Sequence, residues 1–107
     1  MQQRLVGLHS RQLLGLYDDG DPSLISIASP EDVAAYDPAE GECCNENNFQ
    51  VDFWGMASSP WNQSCARVFA RSFLTHYPHY EAVLPHGQRS VEITWVVDFV
   101  ALRNTYL

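Results

Sequence analysis

Apolar residues along the chain form short runs separated by turn-forming clusters, and the period of each run predicts its element. Leu13-Leu-Gly-Leu-Tyr17 and Leu24-Ile-Ser-Ile27 flank Asp18-Asp-Gly-Asp-Pro22, which reads as a hairpin with a loop longer than two residues. Residues 4–8 add a preceding strand. A helix over residues 8–17 competes with this reading, because Leu13, Leu14, Leu16 and Tyr17 also cluster at helical spacing.

Ser29-Pro-Glu-Asp32 combines a capping serine, a proline at the first helical position and acids in the first turn, predicting a short helix at about 30–36. Asp37-Pro38 stops it. Residues 37–48 are rich in Pro, Gly, Asn and acids and form a loop, long enough to carry a role. Phe49-Gln-Val-Asp-Phe-Trp54 alternates apolar and polar positions as a half-buried strand does.

Ser59-Pro60 repeats the serine-proline start and opens the best-specified element, a helix over 60–76. Trp61, Cys65, Val68, Phe69, Ser72, Phe73 and His76 share one face of it, and Gln63, Arg67, Arg71 and Thr75 the other. Pro78 ends the helix, 80–84 form a short strand and 85–88 a turn. The last long strand is 90–100, with Val91, Ile93, Trp95, Val97 and Phe99 on one face and Glu92, Thr94, Val96 and Asp98 on the other.

These elements assemble into an α+β domain spanning 1–107: an antiparallel or mixed sheet of four to five strands, the 60–76 helix on one face and the 30–36 helix at an edge. An apolar content of 46% is enough to build one core. The N-terminal residues lack an apolar run of signal-peptide length and no segment reaches membrane-span length, so a cytoplasmic location is expected. Three cysteines, two of them adjacent, fit a reducing compartment.

Thirteen acids face six arginines and no lysine, for a formal charge of −7, which argues against a basic nucleic-acid surface. Ten of those acids lie between Asp18 and Asp52, so the charge is concentrated in the first half of the chain. Acidic loops attract basic partners. The expected function is therefore a small acidic protein-interaction module of the kind made by phages and mobile elements, with inhibition of a basic or nucleic-acid-binding partner as its expected role. Asp18, Asp19, Asp21, Glu40, Glu42 and Glu46 would supply the charge and Trp54 an aromatic anchor.

Two alternatives stand beside it. Cys43, Cys44 and Cys65 with His76, His79 and His86 are the ligand types of a zinc site and the nucleophile and base types of a cysteine-dependent enzyme, although there is no Cys-x-x-Cys spacing. A homodimer joined through the 90–100 strand is the other. No cofactor or metal is assigned from these spacings. Asp18-Asp-Gly-Asp-Pro22 lacks the spacing and the closing glutamate of a calcium loop, and Asn62-Gln-Ser64 matches a glycosylation sequon by chance.

Overall fold

A computed structural model describes residues 3–14, 27–80 and 87–106. Its elements are helices α1 (Gln3–Leu13), α2 (Pro30–Ala35), a single 3₁₀ turn (Pro38–Glu40), α3 (Pro60–His76) and α4 (Gln88–Tyr106). Among the described residues there is no β-strand, only isolated bridges between Ile27 and Val51 and between Asn45 and Asn48. The expected α+β class and its sheet of four to five strands are therefore incorrect, and the described part is helical.

Each misassigned strand has an identifiable cause. In α4, Val91, Trp95, Phe99 and Leu102 are buried, while Ile93, Val97 and Val100 are exposed. A step of four residues fits both a two-residue and a 3.6-residue period, so Val91, Trp95 and Phe99 satisfy either template. The β-branched residues between them favoured the strand reading, and tertiary packing overrides that propensity. The dimer alternative loses its strand with it.

Residues 4–8 lie inside α1, whose Val6, His9 and Ser10 face inward, together with Leu14 just beyond its end, so the competing helical reading holds for 8–13. In the 49–54 segment Phe49, Val51 and Phe53 are buried, but so is Asp52, only Val51 makes a bridge, and the chain turns at Asp52–Gly55. The segment lies over the helices as a strap. The hairpin loop at 18–22 and the 81–84 part of the short strand lie outside the described residues.

α2 and α3 begin where their caps dictate. Ser29 Oγ accepts the Asp32 N–H at 3.1 Å and Ser59 Oγ accepts the Asn62 N–H at 3.2 Å, with proline opening each helix. α3 packs chiefly against α4, and α4 also against α1. The shared core is aromatic: Phe53 stacks on Phe99 at 5.4 Å, and Trp95 meets Phe49, Phe69 and Phe99 at 5.6–6.1 Å. No described helix is long and apolar enough to cross a membrane.

Candidate functional site

Cys65 sits on the buried face of α3, fully enclosed. Its thiol donates to the Gln50 carbonyl at 3.1 Å, and Trp61 Nε1–H donates to that same carbonyl at 2.9 Å. The 49–54 strap is thereby fixed against the first turns of α3. Asn62 strengthens the attachment: its side-chain oxygen accepts the Asp52 N–H at 3.1 Å and its amide group donates to the Asp52 and Met56 carbonyls at 2.8 and 2.9 Å. This sequon asparagine is buried and all its bonding capacity faces inward.

The 37–48 loop is docked on the same stretch of α3. The Cys43 N–H donates to Ser64 Oγ at 3.0 Å, Glu42 pairs with Arg71, and Tyr36 Oη–H donates to the Gly41 carbonyl at 2.8 Å. Gly41 follows the 3₁₀ turn at φ 132°, where a side chain is strained. Asn45 closes the next turn by accepting the Asn47 and Asn48 N–H groups at 2.9 Å each.

Docking of this loop brings three thiols into one cluster. Cys43 and Cys44 sulfurs are 3.3 Å apart, Cys43 and Cys65 3.5 Å, and Cys44 and Cys65 3.9 Å. All three cysteines are free thiols. The Cys43 thiol is held well below its ordinary value because its sulfur is hydrogen-bonded first to Cys44 and then to Cys65. That same bond to Cys43 holds the proton on Cys44 and raises it, and burial raises Cys65.

Cys44 opens the cluster to a polar cleft of about 230 Å³ lined by Glu42, Glu46, Arg71, Ser72 and Thr75. Two carboxylates face one guanidinium there, so the cleft is negatively charged. Behind Ser72, whose Oγ is 2.9 Å from His9 Nε2, lies a buried imidazole whose pKa is lowered by burial and by His76. A larger groove of about 560 Å³ between Met56, Ala66, Ile93 and Val97, rimmed by Arg67 and Arg89, does not include the thiols.

The sequence candidates separate accordingly. Cys43, Cys44 and Cys65 converge; His76 instead stacks near His9 at 4.7 Å and His79 against Tyr80 at 4.2 Å. Among the described residues no histidine belongs to the cluster, so the expected Cys–His pairing is not formed there, and His86 lies outside them. Asp18, Asp19 and Asp21 also lie outside the described residues. Glu40, Glu42 and Glu46 are exposed, the last two beside Cys44, and Trp54 is 76% exposed. Ser64, Gln50 and Asn62, which build the site, carry no local sequence signal.

Compared with known proteins, the chain matches no family model, no curated protein and no solved structure. Neither the fold nor these comparisons support the expected viral inhibitor character, which is set aside.

Proposed function

We propose that this chain is a binder of a soft, thiophilic metal or metalloid through Cys43, Cys44 and Cys65. The observation that carries the reading is the convergence of three free sulfurs, from two segments more than 20 residues apart, to separations of 3.3, 3.5 and 3.9 Å. Thiolate donors select soft and borderline ions. Those separations place the point equidistant from the sulfurs about 2.1 Å from each, so an ion at a bond length of about 2.3 Å stands about 1 Å out of their plane. That is the apex of a pyramid, the arrangement of a tetrahedral ion with one open position or of an ion with a lone pair.

Ligand orientation is provided by the surroundings. Ser64 fixes the Cys43 backbone and the Gln50 carbonyl fixes the Cys65 thiol, the role outer-shell partners play in metal sites. Cys44, facing the cleft, is the point of entry.

Cadmium(II) titration of the reduced protein tests the reading, followed by the ultraviolet thiolate-to-metal charge-transfer band. The expected result is a band that saturates at one equivalent and is weakened in Cys44→Ser. A folded, fully reduced protein that develops no band overturns it.

A further inference from the structure

Resting on that reading, we infer that the trithiol site is selective for a trivalent metalloid of the arsenite class over divalent zinc and monovalent copper. The basis is charge and donor count together. Three thiolates leave a net charge of −1 on zinc(II), −2 on copper(I) and zero on arsenic(III), and an uncompensated charge is costly to place in a buried site.

Among the described residues, no unpaired cation beside the cluster offsets a negative complex. Cys65 is fully buried, the adjoining cleft holds Glu42 and Glu46 against Arg71 alone, and that arginine is already paired with Glu42. The Trp61 carbonyl oxygen, 3.4 Å from Cys43 Sγ, and the Gln50 carbonyl, 3.1 Å from Cys65 Sγ, add further negative dipoles. This environment favours a neutral complex over an anionic one.

Coordination number agrees. A structural zinc site uses four protein ligands, and among the described residues this cluster holds three, all cysteine. Three-coordinate copper(I) needs its ion in the sulfur plane, where the sulfurs are too close by the geometry above. Arsenic(III) carries a lone pair at its fourth position and forms a three-sulfur pyramid with no further ligand.

The exchange is balanced without an oxidant. Three As–O bonds of arsenous acid break and three As–S bonds form, while arsenic remains trivalent. Each hydroxide leaves as water with a thiol proton, or as hydroxide from a sulfur already deprotonated.

The experiment is arsenite titration of the reduced full chain, read by native mass spectrometry and by counting the thiols left open to alkylation after unfolding. One arsenic per chain, loss of three hydrogens, no alkylatable thiol and no displacement by excess zinc(II) or copper(I) are expected. Cys44→Ser, with its helical circular dichroism retained, is expected to bind arsenite about 10²–10⁴-fold more weakly, as one intramolecular bond is lost. Arsenite that leaves a thiol free, or that zinc or copper displaces, overturns the selectivity. Cadmium binding without arsenite binding overturns this inference alone, and absence of both overturns the proposed function with it.

Discussion

Asn62 holds the Asp52 peptide from both sides, accepting its N–H at 3.1 Å and donating to its carbonyl at 2.8 Å. This pair couples the start of α3 to the 49–54 strap, and the strap's Gln50 carbonyl in turn receives Cys65. Asn62→Ala leaves the buried Asp52 N–H without a partner, at about 1–3 kcal/mol, while the Asp52 and Met56 carbonyls keep the Gly55 and Ser59 N–H donors. We expect a loss of about 1–3 kcal/mol in urea unfolding. Expression through a secretory route is expected to leave Asn62 unglycosylated, as peptide mapping would show.

Asp52 and Gly55 form a second coupled pair. Asp52 Oδ1 accepts the Trp54 and Gly55 N–H groups at 3.2 Å each, and a Cβ on Gly55 would stand 2.3 Å from Asp52 Oδ2. Gly55→Ala must displace that carboxylate and break its turn, at a cost of about 1–2 kcal/mol. In an Asp52→Ala background the obstacle is gone, so the two losses are expected to be smaller together than their sum. Additive losses would contradict the contact.

Legibility of the chain followed the range of its physical causes. Caps act within three residues, so Ser29 and Ser59 marked the starts of α2 and α3 from sequence alone. α4 was misread because Val91, Trp95 and Phe99 fit two periods. The separating observation is the length of the run without Gly or Pro, since 19 residues exceed an ordinary strand. The three cysteines were legible as donors, but their meeting depends on Cys43 N–H reaching Ser64 Oγ, a contact 21 residues apart that no periodicity encodes.

Two buried groups give stability opposite dependences on pH. Burial lowers His9, with His76 adding to the effect, so the native state keeps it neutral while the unfolded chain protonates near 6.5. Below that value the unfolded state binds the extra proton, and stability falls as pH drops toward the native pKa. Unfolding free energies between pH 7 and 5 are expected to decline in the wild type and to decline less in His9→Gln.

Burial raises Asp98, and its Oδ2 has no hydrogen-bond partner among the described residues, although Arg11 opposes the shift. Here the native state binds the extra proton. The contribution is present below 3.8 and is lost as pH rises through the native value. Asp98→Asn is therefore expected to melt above the wild type at pH 7 and to show no such advantage at pH 3. A lower melting temperature at pH 7 would contradict a desolvated carboxylate.

Thiol reactivity should follow charge and exposure. Hydrogen bonding to Cys44 and then to Cys65 lowers the Cys43 thiol, which is half-buried, whereas Cys65 is 0% exposed. A brief pulse of iodoacetamide on native protein, read by peptide mass spectrometry, is expected to label Cys43 first and Cys65 only after unfolding. Equal labelling of all three would contradict the enclosed cluster.

The claim on which the rest depends is that the three sulfurs act together on one bound atom. X-ray absorption at the cadmium edge, on protein loaded with one equivalent, counts them directly. The account predicts three sulfur scatterers in the first shell, falling to two in Cys44→Ser. One or two sulfurs in the wild type, with oxygen or nitrogen completing the shell, would contradict it.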